Sequence, residues 1–437
     1  MKILMFSWEF PPLIAGGLAM ACYGMVKSLL KQGIEIDLVL PTKEMIYFPF
    51  RKPEDVDTLP VVFLDEKKQK TFKKTSFKTI EEKLEYFGVN VFPETYLSPL
   101  EIQSWSTVVK KSYTETKVIS SLEERVLHDL EQYLVGEENL FKKVQEMTSR
   151  AEQFAKVLKF DIIHAHDWLT YPAGIIAKKL SGKPLVAHMH ATEYDRAGGY
   201  GDGRIHNIEH DGLIYADRAI CVSKYTANMV ISRYRVDSGK IRIVHNAYDV
   251  GIIPNKKQRI FKSPTVLFLG RITLQKGPDY FIEVANKILQ NNPDARFIMA
   301  GSGDMSRKLL HKSASLRLKN RFIFAGFLNR KQVSEILNSV DIYVLPSVSE
   351  PFGIAPLEAM AYGVTAVISK QSGVSEVIEN AYKVDFWDIN EMTRIIDFLI
   401  KNPQTCKEVG EEGKQEVFRI GWDEVSEKLI SIYQEIS

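Results

Sequence analysis

Arg271 and Lys276 stand five apart in the run Gly270-Arg271-Ile272-Thr273-Leu274-Gln275-Lys276-Gly277. Glu350 and Glu358 stand eight apart in Ser349-Glu350-Pro351-Phe352-Gly353-Ile354-Ala355-Pro356-Leu357-Glu358. Two bases and two carboxylates grouped in this way could hold a sugar carried on a diphosphate. The cations would neutralise the phosphates, one carboxylate would face the sugar, and the other would face a ribose. A carboxylate beside a diphosphate is repulsive unless bases intervene, so the two motifs make sense only together. Taken alone, Arg271 and Lys276 are surface charges on a loop, and Glu358 is an ordinary charge near a helix amino terminus.

The flanking elements put these residues where such chemistry is possible. Val266–Leu269 reads as a buried strand, and Gly277-Pro278-Asp279 opens a helix with proline suited to its first turn. Arg271 and Lys276 therefore flank a strand-to-helix turn at the carboxyl end of a sheet, where open α/β sheets bind ligands and where helix amino termini favour anions. Ile342–Ser347 is a second such strand, with Glu350 in the turn after it. Ala355–Tyr362 reads as a helix carrying Glu358 in its first turn or two. The backbone amides of Phe352–Ala355, those of Gly353 and Ile354 among them, would point at the same region. Gly16 and Gly17 follow the first strand and precede the helical run Leu18–Leu30. Glycines there let the backbone approach a phosphate or sugar, although a plain turn would look the same.

Other constellations are weaker. His164, His166, His188 and His190 end two candidate strands and could ligate a metal. In-out alternation on a strand is the simpler reading, and no carboxylate has ligand-like spacing beside them, so no metal is expected. The only Asp-x-Asp, Asp55-Val56-Asp57, lies away from every other motif. Gly301-Ser302-Gly303-Asp304 and Gly199-Tyr200-Gly201-Asp202-Gly203 lack the third glycine of the dinucleotide fingerprint, which disfavours a nicotinamide enzyme.

Composition sets the outer bounds. At 437 residues the chain is too long for one ordinary core, and two domains are expected. It is 45% hydrophobic and 26% charged with a net charge of +2, so it is globular and gives no global argument for nucleic acid. Cys22, Cys221 and Cys406 are odd in number and widely spread, which argues against disulfides and a zinc site. They read as reduced and buried. The apolar start Met1–Phe6 is cut off by Ser7-Trp8-Glu9-Phe10-Pro11-Pro12 and reads as a first strand, not a leader. No stretch approaches a membrane span, and the expected location is cytoplasmic.

Short apolar runs alternate with helical patterns, which predicts parallel doubly wound sheets. The first half offers strands at Ile3–Phe6, Ile36–Leu40, Ile162–His164, Leu185–His188, Ala219–Val222 and Ile241–Val244. The second offers Val266–Leu269, Phe297–Ala300, Phe322–Ala325, Ile342–Leu345 and Thr365–Ile368. The expected fold is α/β, with two Rossmann-like domains facing each other across a cleft. The first domain spans 1–217, interrupted by an insertion at about 41–150 that is charge-rich and poor in strand signals. Within it, helical periodicity returns around Leu122–Val135 and Phe141–Phe154. The second domain spans 218–420, with a polar linker near Asn246–Ser263. A last helix within 421–437 is expected to cross back onto the first domain.

With these residues in hand, the chain resembles the retaining glycosyltransferases of the GT-B fold, and within them the glycogen and starch synthases of the short archaeal kind. The resemblance spans essentially the whole chain. It rests on Arg271/Lys276, Glu350-x7-Glu358, Ala15-Gly16-Gly17-Leu18, His164-Ala165-His166-Asp167-Trp168 and His188-Met189-His190-Ala191-Thr192. It implies that Arg271 and Lys276 bind the distal phosphate of a nucleotide sugar, that Glu350 contacts the glucose hydroxyls and that Glu358 contacts the ribose. It further implies that Gly17 offers an amide to the diphosphate, that His190 lies beside the reacting carbon and that Gly373 lies near the diphosphate. The implied partners are an ADP- or UDP-glucose donor and a glycogen or maltooligosaccharide acceptor, with no cofactor. No carboxylate is placed as a covalent nucleophile, so attack on the face from which the nucleotide leaves is the implied route. Ile14 and Met20 stand where the bacterial loop carries Lys and Asp. Glu358 is shared with the broader retaining transferases, which keeps a small sugar or lipid acceptor open. A non-transferring epimerase on the same fold also stays open, as does a silent sugar-binding protein, although retention of Arg271, Lys276, Glu350 and Glu358 argues against the last.

Overall fold

The computed structural model describes residues 1–11, 17–41, 46–58, 62–63, 139–248 and 260–437. Gly16, the helical expectation at Leu122–Val135 and most of the insertion lie outside the described residues.

Two sheets form, and both follow from the apolar runs. The first holds β1 (Lys2–Phe6), β2 (Glu35–Leu40), β3 (Ile46–Phe50), β4 (Val62–Phe63), β5 (Ile162–His166), β6 (Leu185–Met189), β7 (Arg218–Cys221) and β8 (Ile241–Ile243). Its order is β4-β3-β2-β1-β5-β6-β7-β8. The second holds β9 (Thr265–Leu269), β10 (Arg296–Ala300), β11 (Phe322–Gly326), β12 (Ile342–Leu345), β13 (Thr365–Ser369) and β14 (Tyr382–Val384), in the order β11-β10-β9-β12-β13-β14. Pairing is parallel except at β2–β3 and β3–β4. Strands such as β1, β5, β6 and β13 are buried almost throughout, because helices cover both faces of a parallel sheet.

Two expectations need correction. β7 and β8 belong to the first sheet, so a boundary at residue 218 would cut it. The change of sheet falls between Ile243 and Thr265. The insertion also contributes β3 and β4, which extend the first sheet antiparallel to β2. The expected helix at Phe141–Phe154 lies within a helix spanning Asn139–Val157.

The final helix, Trp422–Gln434, packs on the first unit. Ser28 on the helix Gly17–Lys31 bonds Asp423 at 2.8 Å and Ser426 at 2.9 Å. Arg218 and Arg242 both bond Glu435 on the same side. All three cysteines are buried and none of them is in a disulfide. No helix among the described residues is long and apolar enough to cross a membrane.

Candidate active site

Each sheet has a place where its winding reverses, between β1 and β5 in the first and between β9 and β12 in the second. Crevices open there, outside the carboxyl ends of the strands. β9 delivers Gly270–Lys276 to that point, and β12 delivers Pro346–Glu350.

At the second switch point Lys276 Nζ lies 2.6 Å from Glu350 Oε2, and the Ser347 hydroxyl donates to the same oxygen at 3.1 Å. Both side chains of the ion pair are mostly buried. The pair forms because the two loops are bolted together: Val348 N–H donates to the Gln275 carbonyl at 2.9 Å. Gly277 makes that approach possible. It sits at φ +63°, and a Cβ there would lie 2.0 Å from the Pro346 carbonyl oxygen. Arg271 is exposed, and its guanidinium donates to Gln275 Oε1 at 3.2 Å.

Glu350 is further fixed by its backbone. It forms an isolated parallel bridge with Ser372, and its carbonyl accepts the Gly373 N–H at 2.8 Å. Gly373 therefore lies beside Glu350, with its amide engaged by protein. A Cβ on Gly373 would lie 2.1 Å from the Pro351 carbonyl oxygen and 2.5 Å from Ser223 Cβ of the first unit. Gly353 caps the helix Ile354–Ala361. Ile354 and Leu18, which follows Gly17, pack against one apolar cluster of the first unit. Gly17 is exposed at the start of the helix Gly17–Lys31, and a Cβ there would meet open space.

Glu358 is partly buried in the helix Ile354–Ala361, and that burial raises its pKa against the pull of the Arg330 guanidinium. Arg330 opens the helix Arg330–Leu337 and touches the Met20 sulfur on the first unit. It thus lies between the two units.

On the facing side β6 leads into His190. The backbone N–H of His190 donates to Asp167 Oδ1 at 2.7 Å, and its ring Nε2 lies 2.9 Å from His166 Nδ1. Burial lowers the His190 pKa to about 3, so the ring is neutral. Asp167 sits at φ 59°, in the left-handed region. Burial pushes its carboxyl up to about 6, although Arg196 and the amides of His190 and Ala191 draw it back.

The four histidines do not alternate in and out. Residues two apart on a strand share a face, so His164 stacks on His166, and His188 on His190, each pair with ring centroids 4.3 Å apart. His164 Nε2 lies 3.2 Å from His188 Nδ1, and His164 Nδ1 lies 2.6 Å from the Tyr433 hydroxyl. Ligand atoms of His164, His166 and His188 come within 4.8 Å of one another, as do those of Cys22, His166 and His190. Most of the ring nitrogens concerned are engaged with one another or with Tyr433.

A hydrogen bond ties the two sides together. Ser349, next to Glu350, donates to Asp195 Oδ1 and lies 2.9 Å from the Tyr225 hydroxyl. Asp195 completes the capping box with Thr192, two residues after His190. Glu376 of the second unit accepts the backbone N–H groups of Lys224 and Tyr225, each at 2.8 Å. The structure thus joins Lys276, Glu350 and Gly373 directly and brings the His190 segment to them through Asp195–Ser349. Arg271 shares the Lys276 turn, and Glu358 lies on the helix that follows Glu350 and Gly353.

Sequence reasoning passed over Ser347, Ser349, Asp167, Asp195 and Arg330. Thr192-x-x-Asp195 carries a local capping signal, and Asp167 directly follows the end of β5. Nothing near Arg330 in sequence points to Glu358.

Residues 251–416 match the family described as Glycosyl transferases group 1, and residues 115–251 match Glycosyltransferase Family 4. An uncharacterized glycosyltransferase of Methanocaldococcus jannaschii is 26% identical over 99% of this chain and 98% of its own length. A glycogen synthase of Mycobacterium tuberculosis is 23% identical over 87% of this chain and 80% of its own. Among solved structures, sucrose-phosphate synthase from Thermosynechococcus elongatus superposes with a TM-score of 0.67 at 17% identity, covering 99% of this chain and 98% of that one. The catalytic domain of starch synthase IV from Arabidopsis thaliana, bound to ADP and acarbose, gives 0.65 at 14% identity, covering 99% of both chains. The fold is GT-B.

Proposed function

We propose that this chain, whose fold is GT-B and whose residues 251–416 match the family described as Glycosyl transferases group 1, is a retaining glucosyltransferase of the glycogen synthase type. It moves glucose from ADP- or UDP-glucose to the non-reducing end of an α-1,4-glucan. The observation that carries this reading is the Lys276–Glu350 pair at the β9/β12 switch point, with the His190 segment tied over it through Asp195 and Ser349.

In this reading Lys276 and Arg271 receive the diphosphate. Lys276 pairs with Glu350. A bound phosphate would share that cation, leaving Glu350 to accept hydrogen bonds from glucose hydroxyls. As the sugar–phosphate bond breaks, charge grows on the leaving oxygen beside Lys276. Fixed cations in a water-poor site stabilise such charge most, and one contact of this kind contributes roughly 3–4 kcal/mol. Glu358 faces the ribose. The acceptor hydroxyl attacks on the face the nucleotide leaves, so configuration is kept.

A second reading, transfer to a small sugar or lipid acceptor, is favoured by Glu358. One assay separates the two. The protein is incubated with labelled ADP-glucose or UDP-glucose, alone, with glycogen, or with small sugar and lipid acceptors, and labelled product and free nucleotide are followed. Label in polymer supports the first reading. Donor turnover only with small acceptors supports the second, and no turnover with any acceptor counts against both.

A further inference from the structure

The histidine stack leaves His166 with one nitrogen unused. Its Nε2 is buried without a hydrogen-bond partner, while its Nδ1 lies 2.9 Å from His190 Nε2. A hydrogen bond between two neutral imidazoles needs a proton on one ring and a lone pair on the other. Burial keeps both rings neutral. Two arrangements satisfy the contact. In the first, His190 Nε2–H donates to His166 Nδ1. The single proton of His166 must then sit on Nε2, as an interior N–H with no acceptor. In the second, His166 Nδ1–H donates to His190 Nε2, and His166 Nε2 is a bare lone pair. Among backbone groups, orphaned interior N–H donors are rarer than under-used acceptors, and the same preference applied to the ring selects the second arrangement.

We infer that His166 is a positioning residue that fixes His190 as its Nδ1–H tautomer, so that His190 presents an N–H donor to the cleft. The free nitrogen of His190 belongs to the one ring of the four that is not fully buried. Two neighbours divide the work of placing it. Asp167 holds the backbone N–H of His190, and His166 holds the ring. A ring so fixed can donate to an oxygen of the bound glycosyl group or of the acceptor. It has no lone pair facing the cleft, so it does not take the proton of the attacking hydroxyl, which must leave by another route. His166 is thus given a task that nothing in its local sequence signals: it decides whether His190 offers a proton or a lone pair.

The test uses the full chain labelled with 15N-histidine. A long-range 1H–15N spectrum reads the tautomer of each ring, with His190 assigned by its loss in His190→Gln. The expected result is a protonated Nδ1 and an unprotonated Nε2 for His190. The reverse pattern would overturn the inference. Two variants extend the test. His166→Asn puts an amide N–H near the position of Nδ1, whereas His166→Phe keeps a ring and removes the donor. The Asn variant should keep the His190 tautomer and retain most of kcat. The Phe variant should release it and lower kcat by about tenfold, with KM for the donor little changed. Equal activity and an unchanged His190 spectrum in both variants would sink the proposal. If the Phe variant does not fold, the wild-type spectrum still decides. The kinetic arm rests on the proposed glucosyl transfer, but the spectrum does not. An inactive chain with an Nδ1–H His190 would count against the function and leave the tautomer assignment standing.

Discussion

Lys276→Ala should do two things at once, and a second variant pulls them apart. Lys276 Nζ is 2.6 Å from Glu350 Oε2, and Glu350 is only 5% exposed. Removing the ammonium leaves a buried carboxylate with the Ser347 hydroxyl as its remaining side-chain partner at 3.1 Å. Losing one member of a buried ion pair costs roughly 3–5 kcal/mol. Because Lys276 retains some contact with solvent, the lower end applies, about 3 kcal/mol. For a unit of this size that lowers the melting temperature by roughly 6–12 °C. Turnover should fall separately by about 100- to 1,000-fold, as expected for loss of a contact to a developing phosphate charge. The double variant Lys276→Met/Glu350→Gln removes the buried charge along with its partner. Replacing both members of such a pair is often neutral or stabilising, so the melting temperature should return while activity stays low. The assay is a thermal scan beside kcat measured with saturating nucleotide-glucose and glycogen. A stable double variant with near-normal turnover would show that the pair is structural and that the phosphate clamp is misassigned.

Three further outcomes are expected. Activity should survive EDTA, since two cations stand where a metal would otherwise neutralise the diphosphate; loss of activity restored by Mg²⁺ or Mn²⁺ would refute this. Distance labels on the two units should shift when nucleotide sugar and acceptor are added, because productive geometry needs reacting atoms within about 3–3.5 Å, and one unchanging distance in an active enzyme would rule out closure between the units. Asp167→Asn should gain stability relative to the native chain as pH rises. The native carboxyl is pushed up to about 6 from an ordinary value of 3.8, so its burial costs nothing below the lower value and its full amount above the higher. That amount is about 3 kcal/mol at most, and urea melts at several pH values that give a flat difference between the two proteins would contradict it.

What the sequence by itself determined is the alternation of strands and helices and the place of the candidate residues along the chain. Runs such as Val266–Leu269 and Ile342–Leu345 are apolar on both faces, and that alone demands a parallel sheet under helices. Arg271, Lys276 and Glu350 end such runs, so their position at a sheet's carboxyl edge was legible from local order. The short edge strands β4 and β14 were not legible, because edge strands need few apolar residues and take their pairing from the neighbour, and the apolar run of β3 is interrupted by Pro49, a residue that argues against a strand inside a sheet. The boundary at 218 failed for a related reason: β7 and β8 carry the same pattern as any strand, and only hydrogen bonding says which sheet they join. Tertiary structure alone decided the contacts between distant segments. These are the docking of Gln275 on Val348, the Asp195–Ser349 bond, Arg330 beside Glu358, and Tyr433 against His164. Each joins residues distant in the chain, through backbone hydrogen bonding, side-chain reach or burial. None of these leaves a mark in composition or periodicity, so the sequence could name candidate residues but not the bonds that hold them in place.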